Sequence, residues 1–256
     1  MPLSLHDWHR RFTLQSRWTL ETRKYLYDRS GTLKSKKILD VGCGTGAISQ
    51  ELVHTTGTDV TGLDINQDFI EIADDDNPSA NFLLADAHRM PFKASVFDIC
   101  LCHFLLLWVE TPITVINEMK RVTKSGGAIL VLAEPDYGGR IDFPHDLSIL
   151  NDWQTESLKN QGANPTIGRE LKSILNHSDL IDIEVGVVGA QWTGVPSQQE
   201  ISSEWEIIFS DLGFLKNTSE VMRTSEEIRK KDYKAWANGD RVLYVPTFYA
   251  WGRVVK

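Results

Sequence analysis

Ile38-Leu39-Asp40-Val41-Gly42-Cys43-Gly44-Thr45-Gly46 opens as an apolar strand and breaks into three glycines at alternate positions. The helical pattern Ala47-Ile48-Ser49-Gln50-Glu51-Leu52-Val53 follows at once. Glycine lacks a Cβ, so it accepts positive φ and lets a ligand or another segment come close. A strand, a tight glycine turn and a helix N-terminus make a cradle for a nucleoside-bearing ligand. The same turn can also be an ordinary loop, so the flanking chain has to decide.

Outward from that stretch, residues 36–132 alternate between the two periodicities. Strands are predicted at Lys37–Val41, Asp59–Leu63, Asn81–Leu84, Phe97–Cys102 and Ala128–Ala133, with helices at Ala47–Val53, Gln67–Asp74 and Thr111–Thr123. Thr111-Pro112 reads as a cap followed by proline at the first helical position, and Gly126-Gly127 follows the helix end. Such alternation predicts a parallel sheet with right-handed crossovers, whose ligands lie at the carboxyl ends of the strands. Those ends carry a consistent chemistry. Asp64 closes the second strand about 20 residues beyond the glycines, where a carboxylate can accept from both hydroxyls of a ribose. Asn66 takes the role of helix cap, which leaves Asp64 available. Ala85-Asp86-Ala87 follows the third strand and His103 the fourth.

These pieces resemble the class I S-adenosylmethionine-dependent methyltransferases, in particular the branch of the ubiquinone and menaquinone C-methyltransferases (methyltransferase type 11). The resemblance rests on Leu39 to Gly46, Gly62-Leu63-Asp64, Ala85-Asp86-Ala87-His88-Arg89-Met90-Pro91-Phe92, Phe97-Asp98, Glu118-Met119-Lys120-Arg121-Val122 and Gly126-Gly127, in family order over about residues 36–134. Ser125 departs from it, standing where the family often has proline. The resemblance implies an α/β fold: a doubly wound, seven-stranded, mostly parallel Rossmann-like sheet with its last strand antiparallel. It implies S-adenosyl-L-methionine as cofactor, with Gly42, Cys43, Gly44 and Gly46 under the methionine part and Asp40 near its α-amino group. Asp64 would hold the ribose, Ile65 would pack on the adenine, and Asp86 and the Ala87 backbone would face the ring. His103 would border cofactor and acceptor, and Arg17 and Trp108 complete the expected cofactor contacts.

Outside the core the sequence speaks more softly. Residues 1–31 read as an N-terminal helical cap, with Leu5, Trp8, Phe12, Trp18, Tyr25 and Leu26 at helical spacing. Its two readings are packing on a sheet edge, or a cover over the ligand with Arg17, Trp18 and Tyr25 turned inward. Residues 32–134 are the cofactor-binding core of a single domain over 1–256. Residues 135–180 and 197–239 read as lid helices, and 240–256 as the last strand. Ser197-Gln198-Gln199-Glu200 and Thr224-Ser225-Glu226-Glu227 are both capping-box patterns, each expected to start a helix. Trp8, Trp18, Trp153, Trp192, Trp205 and Trp236 offer material for an aromatic pocket, although most are expected in helix packing. Arg17 and Arg140 are possible anchors for an anionic substrate group, with a salt bridge as the plainer reading.

Composition narrows the partner. A net charge of −8 over 256 residues argues against nucleic acid, and Arg229-Lys230-Lys231 sits beside Glu226 and Glu227 as a solvated helix face. Three cysteines give no disulfide framework and no zinc site. The start carries no apolar signal segment, and the apolar run Phe104 to Val109 is too short to span a bilayer. A cytoplasmic protein without a metal, acting on a small-molecule methyl acceptor, is therefore expected. Transfer from a sulfonium needs mainly alignment and exclusion of water, and a base only when the acceptor must lose a proton. His103 is the first candidate for that base, ahead of Glu134, Tyr137 and His145, and carbon or oxygen acceptors are favoured over nitrogen. Competing functions are a non-catalytic S-adenosylmethionine-binding protein and a nicotinamide-dependent oxidoreductase. The latter would use Gly-x-Gly-x-x-Gly, where this chain has Gly-x-Gly-x-Gly.

Overall fold

A computed structural model of the chain describes residues 4–189, 195–216 and 218–256. In chain order the elements are α1 (Leu5–Trp18), α2 (Leu20–Ser30), β1 (Lys37–Val41), α3 (Ala47–Thr56), β2 (Asp59–Asp64), α4 (Gln67–Asp76), β3 (Asn81–Leu84), β4 (Phe97–Cys102) and α5 (Pro112–Val122). There follow β5 (Thr123–Pro135), β6 (Ile141–Phe143), α6 (Ile149–Asn160), α7 (Leu171–His177), β7 (Ile181–Val187), α8 (Gln198–Leu212), α9 (Thr218–Asn238), β8 (Val242–Tyr244) and β9 (Thr247–Arg253). Two compact units are built from them. One comprises Ser4–Glu134, Ile167–Val188 and Thr247–Lys256, and the other comprises Pro135–Thr166 and Gly189–Pro246.

The first unit holds a seven-stranded sheet in the order β3-β2-β1-β4-β5-β9-β7. β1 runs parallel to both β2 and β4, β2 to β3, and β4 to β5, while β7 and β9 are antiparallel to each other. This is the doubly wound, mostly parallel fold expected. The order turns back on itself between β1 and β4, which puts the switch point beside the glycine turn.

Two-residue alternation sorts the strand side chains between two cores. Leu39, Val41, Cys100, Cys102, Ile129 and Val131 pack with Val115, Ile116 and Met119 of α5 and Leu171 and Leu175 of α7. Ile38, Ile99, Leu101, Leu130 and Leu132 face the other way, against Leu26 and Tyr27 of α2 and Ile48 and Leu52 of α3. All these strands are apolar on both faces because helices cover both, as parallel sheets require. Cys100 and Cys102 do share a face, and all three cysteines are free and buried. Among the described residues no cluster of possible metal ligands occurs, and no helix is long and apolar enough to cross a membrane.

The second unit packs Leu147, Leu150, Trp153, Trp205, Ile208 and Leu212, with Ile228 and Ala235 of α9, into a separate core. Beside it lies the β6–β8 ribbon, Asp142 opposite Leu243. Asp142 is buried between Arg140 (Nε 2.6 Å) and Arg241 (Nη2 2.6 Å), and Arg241 Nε reaches Asp232 at 2.7 Å. Asp232 also accepts from Trp205 Nε1 at 2.8 Å. Arg140 is therefore committed to a buried network, and its proposed role as a substrate anchor is corrected. Residues 167–180, expected in the lid, belong instead to the sheet unit, because Ile167 and Leu171 are core residues there.

Ser197 caps α8 with Glu200 in a complete capping box, as its sequence predicts. The second box fails: α9 begins at Thr218 and runs through 224–227. Thr224 and Ser225 return their hydroxyls to the carbonyls of Glu220 and Met222 (3.1 and 2.8 Å), a bond that serine and threonine also make inside helices. Trp192 lies outside the described residues.

Candidate functional site

The glycine turn is wrapped around the tip of β2. Gly42 and Cys43 donate their backbone N–H groups to Leu63 O at 2.8 and 3.0 Å. Gly44 N–H donates to Asp64 Oδ2 and Asn66 N–H to Asp64 Oδ1, both at 2.9 Å. Asp64 thus fixes the turn while keeping lone pairs free, since a carboxylate has about four acceptor sites. Gly42, Gly44 and Gly46 have φ of +71°, +52° and +84°, a region that strains any side chain. Space is short as well. A Cβ on Gly42 would stand 2.6 Å from Leu105 Cδ1, and one on Gly44 3.0 Å from the Phe12 ring. The glycines are needed for this turn even before a ligand is considered.

Asp40 lies beneath the turn, buried, and accepts from Ser49 Oγ at 2.6 Å. Burial pushes its carboxyl up to about 7 despite the Ser49 bond, and the negative charges of Asp64 and Glu51 add to the rise. Cys43 is buried beside it, its thiol pushed up by the same loss of water. Ile65, next after Asp64, is 72% exposed, an aliphatic side chain held in the open at a strand tip. Beyond β3, Asp86 Oδ1 accepts from the backbone N–H of His88 and lies 2.8 Å from its Nδ1. Those bonds, the backbone one foremost, hold its carboxyl below the usual range. Ala87 packs its methyl into the core.

Sequence reasoning missed how the N-terminal helices reach this site. Phe12 of α1 covers Gly44 and meets Phe69 of α4 edge-on at 5.3 Å, and His9 Nδ1 lies 3.0 Å from Thr45 Oγ1. Thr19, at the α1–α2 junction, lies 2.9 Å from His103 Nε2 through its Oγ1. The same oxygen accepts from Arg23 Nη1 at 2.6 Å, and Arg23 pairs with Glu51 of α3. Thr19 and Arg23 are both buried. No local pattern could have found this contact, because 84 residues separate Thr19 from His103. Of the inward-facing residues expected of this segment, Trp18 is exposed under Arg11 (4.7 Å to the ring centre), and Tyr25 donates to Glu184 at 2.6 Å on β7. Arg17 is exposed at the end of α1.

The base candidates separate clearly. His103 stands at the tip of β4, one residue past Cys102, which pairs with Val41. Burial first, and the Arg23 charge second, push its imidazole down to about 3, which makes it a poor proton acceptor. Glu134 is fully buried under the loop that follows β4. Its carboxyl accepts the backbone N–H groups of Leu105, Leu106 and Leu107 at 2.9, 2.7 and 3.2 Å. Burial pushes it up to about 8. This corrects its assignment as a base: Glu134 is the clamp of that loop, spent on three donors. The same loop carries Trp108, half exposed, whose backbone N–H donates to Leu105 O. Tyr137 and His145 belong to the second unit, where Tyr137 N–H donates to Pro165 O at 2.9 Å.

Comparison with known proteins gives the same region a family. Residues 39–131 match the family described as "Methyltransferase domain". The chain is 33% identical over 122 residues to a demethylmenaquinone methyltransferase of Renibacterium salmoninarum, covering 47% of this chain and 51% of that protein. It is 33% identical over 105 residues to a malonyl-[acyl-carrier protein] O-methyltransferase of Hamiltonella defensa, covering 41% and 40%. The chain thus spans about half the length of the relatives it matches. Among solved structures, the YcgJ protein of Bacillus subtilis is similar in fold, with a TM-score of 0.58 at 15% identity over 92% of this chain and 99% of that one. A phosphoethanolamine N-methyltransferase of Haemonchus contortus, solved with S-adenosyl-L-methionine, has a TM-score of 0.56 at 17% identity over 86% and 49%. Residues 39–131, which contain the glycine turn, Asp64, Asp86 and His103, are thus the part of this chain that matches the methyltransferase-domain family.

Proposed function

We propose that the protein is an S-adenosyl-L-methionine-dependent methyltransferase acting on a small-molecule acceptor. The observation that carries this reading is one convergence: four adjacent strand tips bring together a glycine turn, Asp64 with exposed Ile65, Asp86 and His103. The donor set fits the group. A sulfonium amino acid joined to a nucleoside offers an ammonium, a diol, an aromatic ring and an exocyclic amine. Asp40 answers the ammonium, Asp64 the diol, Ile65 the ring, and Asp86 the amine. When bound, this cofactor supplies a methyl group activated by positive sulfur. The chain's own part is to hold both reactants in line and to keep water out. Phe12 over the glycine turn suits the second task. The chain assigns no proton acceptor.

Calorimetric titration with S-adenosyl-L-methionine and with its demethylated product tests the reading. Both are expected to bind, and Asp64→Ala is expected to weaken both at least tenfold, in keeping with loss of a charged hydrogen bond worth about 1.5–3 kcal/mol. Unchanged affinity in Asp64→Ala would remove the ribose assignment. Binding of nicotinamide dinucleotides instead would favour the oxidoreductase.

A further inference from the structure

The part-buried contact between the N-terminal helices and the tip of β4 dictates a proton position. Thr19 Oγ1 has one proton and two lone pairs. Arg23, which can only donate, already occupies one lone pair from 2.6 Å. Thr19 is buried, so its proton needs an acceptor within the protein, and among the described residues His103 Nε2 at 2.9 Å is the one in reach. Were Nε2 protonated, Thr19 would face two donors and its own proton would be stranded. A charged imidazolium would meet the same conflict, next to the buried guanidinium of Arg23.

From this we infer that Thr19 and Arg23 are positioning residues that lock His103 as the neutral tautomer with its proton on Nδ1, making it a hydrogen-bond donor. Nδ1 meets no protein acceptor among the described residues, so this donor is available to a bound molecule. It suits an oxygen, such as a carboxylate or carbonyl, at the edge of the glycine turn. Glu51 completes the arrangement: its carboxylate neutralises Arg23 and sets the guanidinium that feeds Thr19. Specificity follows from the lock, because an acceptor that has to lose a proton finds none taken up by His103. The use of the donor toward a ligand rests on the methyl-transfer reading. The lock itself does not, since it is measured on the protein alone.

The test is long-range nitrogen–carbon NMR on protein labelled in its histidines, with the His103 signal assigned by its loss in His103→Gln. In the free protein the expected pattern is a single neutral tautomer protonated at Nδ1. Thr19→Val keeps the size of the side chain and removes the hydroxyl, and the pure Nδ1–H signature is expected to be lost. Thr19→Ser restores the hydroxyl and is expected to restore the signature. A wild-type protein with Nε2 protonated, or with mixed tautomers, would overturn the inference. So would a Thr19→Val protein that keeps the wild-type pattern. Should Thr19→Val not fold, the wild-type and Thr19→Ser patterns still decide. Calorimetry with S-adenosyl-L-methionine is run separately, so a protein that fails to bind the cofactor leaves the tautomer result standing.

Discussion

At the scale of single residues, the candidate site is governed by water removal more than by charge pairing. Asp40 is the clearest case, because its buried carboxyl retains a proton up to about pH 7. A ligand ammonium beside it would favour the ionised form and drive the proton off. Binding of S-adenosyl-L-methionine at pH 7 is therefore expected to release about half a proton, seen as a dependence of the calorimetric heat on buffer ionisation enthalpy. Asp40→Asn should abolish that dependence. Equal heats across buffers in the native protein would show that Asp40 does not meet the ammonium. The identities at this scale were legible in the sequence, since Asp40, Asp64, Asp86 and His103 stand at the ends of predicted strands. Their partners were not. Ser49 and Arg23 approach from helices and Thr19 from the junction of two, and helices meet strand tips through tertiary packing that no local pattern encodes.

Among elements, two buried carboxylates do structural work that their sequence neighbourhoods disguise. Glu134, at the end of β5, looked like a base because strand ends in this fold carry chemistry; its three backbone donors make it a loop clamp. Glu134→Gln would turn an amide N–H₂ toward one of those donors, leaving a buried group unpaired, at a cost of about 1–3 kcal/mol in urea unfolding. Asp142 on β6 separates two buried arginines. Asp142→Ala would leave the Arg140 guanidinium without its carboxylate and Arg241 with Asp232 alone, and is expected to lower stability by about 3–5 kcal/mol. If the loss stays under about 1 kcal/mol, water reaches that network. The failed capping box at Thr224 teaches a related lesson. Serine and threonine bond equally well to a preceding turn, so the motif marks a helix start only where the upstream residues are not already helical.

Taken whole, the molecule carries its titrating burden on the alkaline side. Asp40 and Glu134 are raised to about 7 and about 8, so the stability each confers is fully present below the unfolded carboxylate range and is lost as pH rises through those values. His103 works in the opposite sense: lowered to about 3, it contributes above the unfolded histidine range, and that contribution is lost as pH falls. The surface carboxylates of Asp86, Asp98, Glu118 and Glu184 are lowered, so their contributions are lost only in acid. The melting temperature is therefore expected to peak near pH ~5 and to fall steadily toward pH 9. Asp40→Asn should flatten the fall between about pH 4 and 7, the interval between its unfolded and folded values. A peak above pH 8 would contradict the burial of both groups. The sheet was legible at this scale because its strands are apolar on both faces and its glycines mark the turns. The division into units was not, since residues 167–180 read as helix whichever core receives them.

That division has a consequence for how such a chain can be altered. The chain departs from the sheet unit twice, after Glu134 and after Val188, and returns each time. Neither excursion owns a complete interior: Leu147, Leu150 and Trp153 come from the first, Trp205, Ile208 and Leu212 from the second, and the β6–β8 ribbon takes one strand from each. The two segments, distant in sequence, are therefore a single unit of exchange. A chimera that imports one excursion from a relative would expose half an interior and strand Asp142 or Arg241 without its counterpart. Importing both together would carry an intact module on an unchanged sheet.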